Sequence, residues 1–289
     1  MAAPEVHATT DVEAYAAAAL AFLDADPCAR SVLRSIVDRA RAGGTSWTAP
    51  PAFWWVTVDG RTEGAAHWTP PFGLAASSMP AEAIEPLVAA VLARSNNLSL
   101  DMPFVVGPTG TAEALAAEWA RATRSAYRLH HRLLLHELRS LIEPRRPPGR
   151  PRVATLSDVD LLVSWYDAFA KETEVTANAD TRASTLRVIE EETLQIWEDG
   201  EPVSFVNRSL PAAGVARIGP VYTPPEHRGR GYARALTAHS SQQALDSGAK
   251  RCMLYTDADN PVSNRIYADI GYVPTGEHVE FRFDHPLSL

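Results

Sequence analysis

The chain states one plan twice. In "DVEAYAAAALAF" (11–22) and "DVDLLVSWYDAF" (158–169) an aspartate opens a run whose apolar residues recur at helical spacing. Each run is followed by two strand-like stretches joined through Asp-Gly, Asp59-Gly60 in "FWWVTVDGRTEGAAHWTP" (53–70) and Asp199-Gly200 in "LQIWEDGEPVSFVNRSLP" (194–211). Asp-Gly between alternating apolar runs is a hairpin signal, because both residues tolerate positive φ. The helices lie 147 residues apart and the turns 140 apart, which one indel between helix and hairpin reconciles. Between the copies, "LIEPRRPPGRPR" (141–152) holds Pro144, Pro147, Pro148 and Pro151, which remove backbone donors and read as a semi-rigid linker with solvated arginines. The expected division is therefore a domain over 1–143, a linker over 144–152 and a domain over 153–289. A length of 289 residues suits two cores of ordinary size, and 46% hydrophobic with 21% charged residues is a globular composition.

Several functions are disfavoured at this level. A formal net charge of -8 repels polyanions, so no nucleic-acid partner is expected. Cys28 and Cys252 have no partners at metal-ligand spacing, and His130, His131 and His136 lack a completing carboxylate or cysteine; in a strand 130 and 131 should face opposite ways. No metal is expected. The N-terminal apolar stretch has no basic segment before it, and no apolar run reaches bilayer length, so the reading is a cytoplasmic protein with no membrane partner. Gly107-Pro-Thr-Gly110 reads as a turn and helix start rather than an anion cradle.

The chemistry concentrates in "GVARIGPVYTPPEHRGRGYARAL" (214–236). Gly219-Pro220 interrupts a strand, and proline there gives up a ladder hydrogen bond, so the sheet should bulge or splay. Pro224 and Pro225 end the strand, and a helix follows with Ala233, Leu236, Ser240 and Ala244 as its packing stripe. Amides of residues 229–233 at that helix N-terminus, with Gly229 and Gly231 admitting close approach, suit a pyrophosphate. A third glycine at 234 would make a dinucleotide loop, but Arg234 stands there, and no Gly-Lys-Ser/Thr ending makes a Walker loop.

Arg228-Gly-Arg-Gly231-Tyr-Ala233 fits the R/Q-x-x-G-x-G/A signature of the GNAT superfamily of acyl-CoA-dependent N-acyltransferases, and "DNPVSNRIYADIGY" (259–272) resembles its downstream asparagine-tyrosine pattern. The resemblance covers about residues 150–285. It implies an α/β (α+β) fold of two GNAT-like domains in tandem, each with a mixed, largely antiparallel sheet flanked by helices, and a splayed strand pair in the C-terminal domain. The N-terminal half resembles a degenerate domain that has lost the coenzyme loop, as in two-domain members such as mycothiol synthase and the glycine N-acyltransferases. Its Phe53, Trp54, Trp55 and Trp68 could wall an acceptor pocket, form an interface such as a homodimer, or fill their own core.

The resemblance implies that Arg228, Gly229, Arg230, Gly231, Tyr232 and Ala233 bind the coenzyme pyrophosphate. Val221 and Thr223 would hold the pantetheine arm, the Val221 amide polarising the thioester carbonyl. Asn260 and Asn264 would orient pantetheine, and Tyr267 would protonate the departing thiolate; Tyr272 reads as core. The partners implied are acetyl-CoA as co-substrate and an amine acceptor. The strand Val215–Tyr222 carries no carboxylate, so the usual base is missing; Glu172, Glu174, His278, Glu280 or a water relay are the alternatives. That gap keeps a second reading open, an acyl-CoA sensor without turnover.

Overall fold

The computed structural model describes residues 2–43, 47–176 and 180–284. The chain divides into two compact units, residues 1–134 with 276–289, and residues 135–275.

The first unit begins with β1 (Glu5–Thr9), α1 (Val12–Ala25) and α2 (Ser31–Arg41). There follow β2 (Ala52–Val58), β3 (Arg61–Trp68), β4 (Leu74–Ala76), α3 (Ile84–Leu98), β5 (Phe104–Pro108), α4 (Thr109–Thr123) and β6 (Tyr127–Leu138). Asp11 caps α1, its carboxylate accepting from the Glu13 amide at 2.8 Å. The β2–β3 turn is Asp59-Gly60 with both φ values positive, as the dipeptide predicts. Sheet order is β1-β2-β3-β4-β5, antiparallel except for the β4–β5 pair. Gly107 lets β5 approach β4, since a Cβ there would lie 2.6 Å from the Ala76 carbonyl oxygen.

Helices cover both faces of this sheet. Leu87, Val91, Leu115 and Trp119 of α3 and α4 bury Trp54, Trp68 and Val105, while Tyr15, Leu23, Leu33 and Val37 of α1 and α2 bury Phe53, Ala65 and Ala75. Phe53, Trp54 and Trp68 are therefore core; Trp55 is half-buried and stacked on His7. The rings of His130 and His131 lie 3.9 Å apart, so the expectation of opposite faces fails.

The second unit repeats the order. It comprises β7 (Arg150–Val153), α5 (Val159–Thr173), α6 (Thr181–Glu190), β8 (Leu194–Glu198) and β9 (Pro202–Arg208). Then come β10 (Val215–Tyr222), α7 (Tyr232–Asp246), β11 (Arg251–Asp257), α8 (Pro261–Asp269) and β12 (Tyr272–Phe283). The order β7-β8-β9-β10-β11 is again antiparallel except for the last pair. Helices α5 and α6 pack Leu162, Trp165 and Val188 onto Ile196, Phe205 and Tyr222, and α7 packs Leu236 and Ala244 on the other face with Val206, Ala216 and Leu254.

Two boundary expectations need correction. Arg150–Val153 is not linker but an edge strand pairing with β8, where Pro151 can forgo a ladder bond because the edge has no second neighbour to satisfy. Arg152 anchors it, donating to both Asp158 oxygens at 2.8 Å and to Glu198. The compact units also do not follow a cut near 144. Residues 276–284 join the first unit because β12 pairs antiparallel with β5 over His278–Arg282 and Phe104–Pro108, whereas the end of β6 from Leu135 joins the second.

Candidate active site

β10 is the strand whose irregularity opens the second unit. Its parallel pairing with β11 holds Val215, Ala216 and Arg217 against Arg251, Cys252 and Met253, and no further pair is made among the described residues although both strands run on. On the β9 side the register shifts between Ile218 and Val221, at Gly219 with φ +136° and Pro220. The splay and bulge expected from Gly219-Pro220 are both present, and they leave the end of β10, with Val221, diverging from β11.

Directly after this strand comes the loop 223–231. Gly229 and Gly231 have φ of +78° and +86°, a region that disfavours side chains. A Cβ built on Gly229 meets nothing within 4 Å, and one on Gly231 meets only the Arg234 guanidinium at 3.8 Å. Gly231 is the N-cap of α7, so no side chain caps the helix, and the first intrahelical bond runs from the Ala235 amide to the Gly231 carbonyl. The amides of Tyr232, Ala233 and Arg234 thus precede the helical ladder at the positive end of the helix dipole. This run of unladdered amides next to two side-chain-free residues fits a diphosphate group.

The matching helix of the first unit has no glycine N-cap. α3 continues out of a 3-10 turn at Ala81–Ala83 with Ala83 as N-cap, and the segment before it is packed down, Met79 Cβ lying 2.5 Å from where a Cβ on Gly64 would be.

The motif side chains are individually engaged. Arg228 donates from Nε to the Thr223 carbonyl at 2.8 Å and from Nη2 to Glu172 Oε2 at 2.6 Å. Tyr222 donates its hydroxyl to Glu172 Oε1 at 2.9 Å, and the Arg228 guanidinium lies 5.7 Å from the Tyr222 ring centre. Partial burial works to raise the Glu172 carboxyl, but the bonds from Arg228 and Tyr222 outweigh it and hold it below the usual carboxylate value. Thr223 shares a 2.9 Å hydroxyl contact with Ser204. Tyr232 is buried with its hydroxyl on Asp199 at 2.5 Å, Arg230 reaches the Glu226 carbonyl, and Arg234 pairs with Asp269.

Asn260 caps α8 by accepting from the Ser263 amide at 3.1 Å, and Asn264 knits the β11–α8 turn, accepting from Thr256 and donating to the carbonyls of Asp257 and Ala258. Both asparagine positions shape the turn that presents Tyr267. The Tyr267 ring packs edge-on to Tyr272 at 6.3 Å, and burial pushes its phenol up to about 12. Tyr272 is core, as expected, its hydroxyl 2.7 Å from Ser241.

Of the other carboxylate candidates, Glu174 is the exposed C-cap of α5. Glu280 and His278 fall in the first unit; Glu280 accepts from Arg282 at 2.9 Å, and burial lowers His278 to about 4. Tyr222 is the group that motif reading missed. A tyrosine ending a core strand carries no local signal, and only its meeting with Glu172 marks it.

Among the described residues no group of three or more His, Cys, Asp or Glu side chains could hold a metal ion, and no helix is long and apolar enough to cross a membrane.

Residues 159–272 match the family described as Acetyltransferase (GNAT) family. A mycothiol acetyltransferase from Cellulomonas flavigena is 31% identical over 86 residues, 30% of this chain and 25% of that one, so the match spans a quarter of the relative's length. A GCN5-related N-acetyltransferase from Sphaerobacter thermophilus superposes with TM-score 0.63 at 17% identity, covering 98% of this chain and 96% of that one. A tandem GNAT protein from the clavulanic acid biosynthesis pathway gives TM-score 0.56 at 15% identity over 99% and 100%. The fold is thus α/β with two GNAT-like units in one chain.

Proposed function

We propose that the protein is an N-acetyltransferase that moves the acetyl group of acetyl-CoA directly to a primary amine of a small molecule or peptide. The observation that carries this reading is the glycine-capped, side-chain-free N-terminus of α7 directly after a strand that parts from its neighbour, within the GNAT-matched segment. The name of the mycothiol acetyltransferase relative supports an acetyl donor; its substrate is not carried over from so short a match.

In this reading, backbone amides of 229–234 hold the diphosphate, and the diverging end of β10 receives the pantetheine arm, with the Val221 amide placed to polarise the thioester carbonyl. The two faces of β10 support separate proton roles. Tyr267 packs against the α7 side of the sheet, whereas Tyr222 belongs to the α5 side with Glu172. An amine approaching from the α5 side attacks the carbonyl carbon; the C–N bond forms and the C–S bond breaks. Tyr267 gives its proton to the leaving thiolate, and the amine's proton passes through the Tyr222 hydroxyl to Glu172. A phenol pushed up to about 12 stays protonated at neutral pH and so is ready to donate.

The test is thiol release from acetyl-CoA against a panel of amines, with the acetylated product identified by mass. Transfer to at least one amine is expected. Because β10 carries no carboxylate, the second reading is a coenzyme sensor; saturable acetyl-CoA binding with no transfer to any amine would favour it.

A further inference from the structure

The feature that the coenzyme loop does not by itself explain is the bond between its first residue and the acceptor side. Arg228 opens the glycine loop, yet its guanidinium is committed to Glu172 at the C-terminal end of α5, 56 residues away. Glu172 is bonded at both oxygens, Oε2 by Arg228 and Oε1 by Tyr222. Resting on the acyltransferase reading, we propose that this clasp is a coenzyme-operated gate: the diphosphate draws the Arg228 guanidinium off Glu172 and frees that carboxylate to take the acceptor's proton through Tyr222.

Two observations and one charge argument make the exchange feasible. The clasp is partly solvated, with side-chain exposures of 48% for Arg228 and 41% for Glu172, so the ion pair is weak and separable. The Nε bond to the Thr223 carbonyl tethers the guanidinium at the loop, so releasing Glu172 needs only a swing of its far end. A diphosphate on the adjoining amides brings more negative charge than one carboxylate and competes for the same donors. Tyr222 stays bonded to Oε1 throughout, so the released carboxylate remains coupled to the end of β10.

Among the described residues the cation acting on Glu172 is Arg228. On α6, Arg182 is engaged with Asp160 and Arg187 with Glu191; on the β8 side, Glu198 is held by Arg152; and Glu226, in the loop, adds negative charge near Tyr222. In the unliganded protein Glu172 is therefore a poor base because of Arg228, and with Arg228 withdrawn its proton affinity rises. Glu172 acts on the substrate through Tyr222 and is a positioning and proton-accepting partner, not a group that touches the amine.

The experiment titrates the Glu172 carboxyl by NMR in the full chain labelled with 13C at glutamate carboxyls, its resonance assigned by its loss in Glu172→Gln. Titrations run with and without saturating coenzyme A, the free thiol, which cannot react. The midpoint is expected to move up when coenzyme A binds the native chain. In Arg228→Ala it should start at the raised position and stay there. Acceptor kcat/KM should fall about 100-fold in Glu172→Gln, with the Kd of coenzyme A not weakened, and recover in part in Glu172→Asp. A midpoint unmoved by bound coenzyme A, or moved equally in Arg228→Ala, overturns the gate. The titration needs no turnover. Absence of acyl transfer would remove the acyltransferase reading alone, and transfer with an unmoved midpoint would remove the gate alone.

Discussion

Replacing Gly231 with valine separates two ways in which the loop before α7 could hold a diphosphate, by its backbone or by its arginines. Gly231 has φ +86° and ψ 5°, and the nearest atom to an added Cβ is the Arg234 guanidinium at 3.8 Å, an ordinary contact. The cost inside the protein is thus conformational, about 1–2 kcal/mol for a side chain in the left-handed region and more for a branched one. Leaving that region would turn the amides that precede the helical ladder, and each amide bond to a charged oxygen contributes about 1.5–3 kcal/mol. Loss of one such bond weakens coenzyme A binding roughly 10- to 100-fold. Arg228→Ala removes a half-exposed guanidinium that must in any case leave Glu172, so its net effect is roughly fivefold or less. Isothermal titration with coenzyme A, repeated with pantetheine, which has no diphosphate, distinguishes the terms. Gly231→Val should lose affinity for coenzyme A and keep it for pantetheine, with a melting temperature lowered by a few degrees. The reverse order of the two variants in folded protein, or equal losses for both ligands, would refute a backbone-built site.

Tyr267→Phe should lower kcat roughly 100-fold in a chemistry-limited assay with little change in coenzyme affinity. Because the Tyr267 phenol is pushed up to about 12, the native pH-rate profile should show no loss of this acid below pH 10 or so, and an alkaline fall there that survives in the phenylalanine variant belongs to another group. Buried His67 is lowered by desolvation to about 3, so the unfolded chain binds the extra proton between its own value, about 6.5, and that point. Stability from this group is complete above about pH 6.5 and is lost as pH falls toward 3, with a slope of at most about 1.4 kcal/mol per pH unit. Melting temperature against pH should be shallower in His67→Phe. Arg152→Ala leaves the Asp158 carboxylate, whose side chain is only 8% exposed, without its bidentate partner; urea unfolding should show a loss of about 3 kcal/mol, and a loss below 1 would mean that the β7 edge is held by its ladder alone.

The loop proposed to hold the coenzyme is legible in the amino-acid sequence because it is made of backbone in one contiguous stretch. Glycine at 229 and 231 encodes positive φ, proline at 220 encodes a broken ladder, and the uncapped start of α7 follows from Gly231 as N-cap. These are preferences of single residues for regions of φ and ψ, and they act over a few positions. The twofold plan is legible for the same reason: periodicity and an Asp-Gly turn are local. In the second hairpin, however, the loop between β8 and β9 has three residues, and of the Asp-Gly pair only Gly200 has positive φ.

The sequence by itself therefore determined two GNAT-like units, the splayed strand and the amide loop. Only the tertiary structure decided which of the candidate carboxylates lies at the end of β10. Glu172 meets Tyr222 across 50 residues of chain and Arg228 across 56, and no local preference encodes such a meeting; it exists because α5 packs Leu162 and Trp165 onto the face of the sheet that carries Phe205 and Tyr222. The same reason governs the ends of the units. Arg150–Val153 could be strand rather than linker only once β8 offered an edge, and residues 276–284 complete the first unit because β5 offers the pairing register, a fact about the sheet and not about the residues themselves.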